Sequence, residues 1–433
     1  MKAGVPIRWR IFGFLFAFGF LEYLQQRGMT VAAERMMPEL ELSQMQIGWI
    51  LQAFVLGYAL FQLAGGVAGQ HWGARWTFVG IGAISVACIV ATIIVPGLLS
   101  GTSLFVALLV AQFLMGAAQA PTFPVSTGVF EAWFQPRSWP LVQGLQTMGL
   151  GLGGALAPPL IVALMITTGW QNALLWTALP AIPLVLLWAW YGRNSPREHW
   201  AVSEQELALQ AGTVAEVPNT RLSMRDLRAI LRDRNVLLLT FAYFAMNNVF
   251  YLLGNWSFLY LVQERKFSIV ESGWLAAAPP IAAGLGAGAG GILASIFVGR
   301  MGARAGLRVL PLLSLVPCSI LLIIAVTTAH PYLAIALMTT CYGLVELTEG
   351  SFWAAAMHVG RANTMAVGGA MNTGGSMAGV IGIPVVAYLS GHGAWTAAFF
   401  IGAGLALASA VCWLFIDAER PVTPMLPVSR RFS

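Results

Sequence analysis

The sequence predicts an all-α membrane protein of twelve transmembrane helices arranged as two six-helix halves. Charge is scarce: Asp, Glu, Lys and Arg make up 9% of the 433 residues, and hydrophobic residues 58%. Soluble domains carry roughly 25% charged residues. Three stretches of 55 residues hold no charge at all, between Arg75 and Glu131, Arg137 and Arg193, and Arg361 and Asp417. Each is about two bilayer crossings long, since one helical crossing takes roughly 20 apolar residues. A weak internal repeat then relates the two halves.

Taken in order, span 1 lies near 11–33, just after Arg8 and Arg10. It has no small-residue cleavage site and further spans follow, so it reads as a membrane helix and not a removable signal. Span 2 lies near 44–69. Spans 3 and 4 (77–97 and 103–128) fill the first uncharged stretch, and spans 5 and 6 (141–166 and 172–192) the second. Spans 7 to 10 fall near 236–262, 272–298, 309–328 and 332–357. Spans 11 and 12 (365–390 and 395–416) fill the third stretch.

With both termini cytoplasmic, cytoplasmic segments hold nineteen of the 23 Lys and Arg, and Arg27, Arg35, Arg265 and Lys266 are the remainder. The positive-inside rule therefore fixes the orientation in a cell inner membrane. It also accounts for the +6 net charge without nucleic acid as a partner. The expected domains are an N-terminal half (1–192), a cytoplasmic loop (193–234), a C-terminal half (235–417) and a tail (418–433). Within the loop, Ser223 and Asp226 suit a capping box that opens a short basic amphipathic helix, expected to lie on the inner leaflet.

The repeat is clearest between spans 5 and 11. Gln146, Thr147, Gly149, Gly153 and Pro158 match Asn372, Thr373, Gly375, Gly379 and Pro384 at a constant offset of 226. Parallel six-span repeats mark one large transporter architecture. The glycines are expected to let helices approach closely. Neither Gly149–Gly154 nor Gly284–Gly291 follows a strand or carries the Lys-Ser/Thr of a nucleotide loop, so no nucleotide cofactor is expected. Cys88, Cys318, Cys341 and Cys412 sit in apolar runs and read as packing residues, and the five histidines as solvated loop residues, without metal spacing.

On these segments the chain resembles the major facilitator superfamily, and more narrowly its anion:cation symporter branch of sugar-acid and organic-anion carriers. The best matching stretches are Gln46-Ile-Gly-Trp49 through Phe54, Gly57-Tyr58, Phe61-Gln62, and Gly116 through Ala120-Pro-Thr-Phe-Pro124 to Trp133-Phe134. The glycine segments of spans 5 and 11 and Phe352-Trp353 also fit. The resemblance implies a monomeric transporter whose spans 1, 4, 7 and 10 line a central cavity.

The departures are informative. After span 2, Gly66, Gly73 and Arg75 keep the family's gating turn, but Gln70 replaces its acidic clamp. In span 1 the branch's Tyr-Leu-Asp-Arg becomes Tyr23-Leu24-Gln25-Gln26, and in span 4 its Arg and Glu become Gln112 and Gln119. An amide cannot carry a proton at physiological pH. Any coupling proton must then use Glu22, Glu346 or Glu349, the carboxylates within spans. The alternative for each is a buried ion pair or a helix–helix hydrogen bond.

Arg27 is either an anion anchor or the structural partner of Glu34 or Glu22. Further substrate-contact candidates are Gln25, Gln26, Gln52, Tyr58, Gln119, Gln146, Asn248, Tyr251, Asn255 and Asn372, polar groups at depths where polarity usually serves a cavity or another helix. The expected function is secondary transport of a small organic solute, a sugar acid or aromatic acid, by alternating access, with protons as candidate co-substrate. The rivals are an uncoupled facilitator, an exporter of a neutral, zwitterionic or lipid-like solute, and a transporter-derived sensor. No catalytic constellation argues for an enzyme.

Overall fold

A computed structural model describes residues 5–208, 222–267, 275 and 278–422. Eight of its helical stretches are long and apolar enough to cross a membrane. Three of them, Pro136–Tyr191, Ala278–Thr327 and Pro331–Gly391, run 56, 50 and 61 residues and make two crossings each. Ile7–Glu39 supplies the twelfth crossing; its polar run from Glu22 to Arg27 sets it apart from the purely apolar spans.

Span 1 is Ile7–Glu39, span 2 Gln44–Trp72 and span 3 Ala74–Ile94. Spans 5 and 6 form one helical stretch bent at Gly169, with span 6 completed by Ala181–Tyr191. Span 7 is Arg234–Gln263. Spans 8 and 9 are bent apart at Gly302, and the predicted start of span 8 falls partly outside the described residues. Spans 11 and 12 are Thr364–Gly391 and Trp395–Phe415. Gly73 and Gly302 take φ of 80° and 78°, where a Cβ is disfavoured, at matching turns of the two halves. The arginine two residues on is held alike in each: Arg75 N–H donates to Asn194 Oδ1 and Arg304 N–H to Glu419 Oε1.

Spans 4 and 10 differ from the continuous helices expected. Span 4 ends its first piece at Gln119 and restarts at Thr122; span 10 ends at Glu346 and restarts at Glu349. Both second pieces are 12 residues long, Thr122–Trp133 and Glu349–Gly360. The breaks are thus repeat-related. Pro121 explains the first, because it lacks the N–H that would continue the ladder. No proline or glycine marks the second.

Within the halves, span 1 packs on span 5, span 2 on span 4, span 7 on spans 11 and 12, and span 8 on span 10. Between the halves, span 2 packs on span 11 and span 5 on span 8. Glycines permit these approaches: a Cβ on Gly66 would strike the Met365 carbonyl, and one on Gly144 the Ala287 carbonyl.

The loop helix Met224–Arg232 forms with the expected capping box, and Ile230 is buried beneath it. A shorter loop helix, Glu204–Ala208, clamps the start of span 1. Glu206 accepts from the Ile7 and Arg8 N–H groups at 3.2 and 3.1 Å, satisfying two of the donors a helix start leaves open. Glu206→Ala is expected to lower stability by about 1–2 kcal/mol; a thermal melt unchanged from wild type would contradict that role.

The expectation of solvated histidines fails at two positions. His358 is buried against Trp139, ring centroids 4.7 Å apart. His199 is 4% exposed and stacks on Trp200. Burial, reinforced by the nearby Arg193 charge, pushes the His199 imidazole below its ordinary range. Aromatic neighbours supplied by the ends of spans 4 and 6 draw this loop residue in.

Candidate functional site

The halves are joined at the end that carries the termini. Gln70 Nε2 donates to the Ala362 carbonyl at 2.8 Å and to Asn363 Oδ1 at 3.0 Å. Leu141 N–H donates to Ser295 Oγ at 3.0 Å. Phe123 of span 4 stacks on Trp353 of span 10, centroids 5.2 Å apart. Nearer mid-depth, Asn372 Nδ2 donates to Gln62 Oε1 at 2.7 Å. Among the described residues, the hydrogen bonds between the halves lie at this end or at that depth. The halves are therefore closed on each other at this end, and the cleft between them lies toward the opposite end, where Arg27, Gln52 and Asn255 are exposed.

Gln70 replaces the acidic clamp by amide hydrogen bonds, but the gate is not without an acid. Glu131, at the end of span 4, faces Thr364 and Arg361 from the other half. The sequence reading missed it because it looks only like the border of an uncharged stretch. Gly66, Gly73 and Arg75 shape the same end. Arg75 Nε donates to the Ala189 carbonyl at 2.9 Å, tying the turn after span 2 to span 6.

Arg27 lies in the cleft toward its open end. Its side chain is exposed, and its Cγ would be 3.9 Å from a Cβ on Gly154 of span 5. Its charge is felt by Tyr23 of span 1, Tyr251 of span 7 and Tyr342 of span 10, so it stands where the two halves face each other. Among the described residues no carboxylate lies within 4.0 Å of it, neither Glu22 nor Glu34, and it makes no hydrogen bond. A guanidinium left unpaired beside tyrosines offers five donors in a planar fork, the geometry that matches a carboxylate.

Around it, Gln26, Tyr58, Asn248 and Tyr251 are half-buried, and Gln52 and Asn255 are exposed. Asn248 and Tyr251 rest on Gly382 and Gly379 of span 11, where any Cβ would collide with them. Asn255 Nδ2 donates to the Tyr251 carbonyl at 3.0 Å.

Other amides turn away from the cleft. Gln119 Nε2 donates to Gln25 Oε1 at 3.0 Å and to Ser85 Oγ at 3.2 Å, while Gln25 Nε2 donates to the Thr177 carbonyl. Those bonds lie inside the first half, among spans 1, 3, 4 and 6. Gln146 Nε2 donates to Ser126 Oγ at 2.7 Å, also within that half. Its repeat mate Asn372 instead bridges the halves through Gln62, so the two amides serve different interfaces.

The three carboxylates differ in their surroundings. Glu22 is 4% exposed, and both its oxygens are buried without a well-formed hydrogen bond; its polar neighbour is the Thr122 hydroxyl. Glu349 Oε2 accepts from the Tyr243 hydroxyl at 3.2 Å and from Trp353 Nε1 at 2.9 Å. Glu346 lies across the helix break from it, within electrostatic reach of Tyr23 and Tyr342. Tyr243 and Tyr342 were not singled out from sequence, and Trp353 only as part of the Phe352-Trp353 family match. The available signal was the spacing of Tyr342, Glu346, Glu349 and Trp353, which puts all four on one helical face.

Residues 15–368 match the Major Facilitator Superfamily. The chain is 28% identical to the hexuronate transporter of Bacillus subtilis, over 94% of each chain. It is 26% identical to a probable sulfoacetate transporter of Cupriavidus necator, over 96% of this chain and 95% of that one. To the probable galactarate/D-glucarate transporter GarP of Escherichia coli it is 24% identical, over 96% of each. The fold superposes on the proton:xylose symporter XylE with a TM-score of 0.75 at 12% identity, covering 95% of this chain and 96% of that one. A closed-ended cleft between two six-helix halves, the matched residues and these relatives agree: the chain belongs to the Major Facilitator Superfamily of membrane transporters.

Proposed function

We propose that the protein carries a small organic acid of the sugar-acid type by alternating access, with Arg27 as the anion anchor. The observation that carries this is the exposed, unpaired guanidinium facing Tyr251 and Tyr342 across the cleft. An ionisable group at such a place is costly, and function is the usual reason for its presence. The relatives are named as a hexuronate transporter and as probable sulfoacetate and galactarate/D-glucarate transporters; those solutes are organic anions, which supports the same class here. Gln26, Tyr58, Asn248, Tyr251 and Asn255 would then read the hydroxyl groups. Closing the open end over the solute, while the Gln70, Phe123–Trp353 and Asn372 contacts part, would expose it to the other side.

In this reading the protein works as a monomer in the plasma membrane with its termini and loop helix cytoplasmic, as the Lys and Arg bias supports. Thermal shift of the purified protein tests the class. A ligand bound only by the folded state raises the melting temperature by mass action. Hexuronates and aldarates are expected to stabilise, and to lose the effect in Arg27→Gln. Stabilisation by neutral sugars or zwitterions alone would favour the neutral-solute facilitator that the loss of charge at Gln25, Gln26, Gln112 and Gln119 also suits.

A further inference from the structure

We infer that Glu349 is the proton-binding group of this carrier, and that its protonation is passed to the closed gate through Trp353. The inference rests on the transporter reading but not on the substrate class.

The repeat-related helix breaks supply the first argument. Gln119 and Thr122 flank the break in span 4, and Glu346 and Glu349 occupy the same places around the break in span 10. The first half thus holds an amide and a hydroxyl where the second holds two carboxylates. Titratable chemistry at this structural position belongs to the second half.

The second argument is local. Glu349 has two donors on one oxygen, Tyr243 from span 7 and Trp353 from its own span. Donors that favour the anion are what a reversible site needs, because they make the charged form attainable at depth. Glu346 lies three residues away across the helix break, and two carboxylates so placed disfavour ionisation of both at once. From spans 4, 5, 8 and 11, which also pack on this segment, no titratable side chain reaches Glu349 among the described residues. Glu22 has only the Thr122 hydroxyl beside it, and neither of its oxygens takes a well-formed hydrogen bond.

The third argument links the proton to movement. The Trp353 ring that donates to Glu349 also stacks on Phe123 of the other half, with 1% and 7% exposure respectively. A proton carried in by hydronium from the cleft, past Glu346 beside Tyr23 and Tyr342, would leave its O–H bond to that water as it forms one to Glu349, and water remains behind. No other covalent bond changes. The Trp353 and Tyr243 donors would then face a neutral acid, and charge-assisted hydrogen bonds lose about half their strength on neutralisation. That loosens the indole at the gate; loss of the proton to the opposite side restores it.

Infrared difference spectra of the full-length protein in lipid, between about pH 9 and about pH 5, test this directly by the band of a newly protonated carboxyl group. Glu22 and the gate acid Glu131 could give such a band too, so both are replaced by Gln; the band is expected in that double variant and absent once Glu349→Gln is added. Tyr243→Phe, which keeps the fold if Glu349→Gln does not, is expected to raise the midpoint pH of the band, since it removes a donor to the anion. A band that survives the added Glu349→Gln, that vanishes in the double variant, or whose midpoint ignores Tyr243→Phe would overturn the inference. In proteoliposomes, Glu349→Gln is expected to lose its response to an imposed pH gradient. If wild type shows the band yet moves no carboxylate, the substrate reading fails and the proton site stands.

Discussion

Arg27→Gln is expected to abolish high-affinity carboxylate binding while the protein still folds. Arg27 is exposed and makes no hydrogen bond or ion pair among the described residues, so its removal leaves no buried partner stranded. Hydrogen bonds to charged groups contribute about 1.5–3 kcal/mol, so affinity should fall about 10- to 150-fold. Arg27→Lys keeps the charge but not the fork, and should recover only part of the loss. Isothermal calorimetry with a hexuronate checks this. An unchanged dissociation constant with an unchanged melt would remove Arg27 from the site and return the anion to some other group.

Gly66→Val is expected to hold the protein open at the end that carries its termini. Gly66 sits where span 2 meets span 11, and any Cβ there would run into the Met365 carbonyl. A backbone oxygen cannot swing aside as a side chain can. Overpacking of this kind costs typically 1–3 kcal/mol, and the cost falls only on the state in which these spans touch. The populations should therefore shift about 5- to 150-fold toward the opposite state. The four native cysteines are buried, so a cysteine placed at Ser295 reports the opening against a quiet background. Labelling by an impermeant maleimide from the terminus-bearing side should accelerate, and net transport should collapse. Equal labelling in both proteins would mean that spans 2 and 11 do not form the gate.

Much of this was legible in the sequence. Twelve crossings followed from uncharged stretches of fixed length, because the bilayer core imposes that length. The repeat between Gln146 and Asn372 was visible because paired glycine and proline positions survive in both halves. Helix rotation was not legible. Neighbouring residues on a helix point about 100° apart, and Gln25 turns into the first half to meet Gln119 while Arg27, two residues on, lies in the cleft.

The break in span 10 was equally hidden. Leu347 and Thr348 carry no breaker chemistry, and the interruption appears only beside its repeat mate at Ala120 and Pro121. His358 shows a third limit. Its burial depends on Trp139, which belongs to the other half and lies far away in sequence.

The central claim is that Arg27 selects an organic anion in a cleft of this carrier. Uptake of labelled D-glucuronate into proteoliposomes, with competing solutes, tests it most directly. Saturable uptake is expected, blocked by galactarate and unaffected by glucose, and lost in Arg27→Gln. Uptake blocked equally by glucose, or undiminished in Arg27→Gln, would contradict the account.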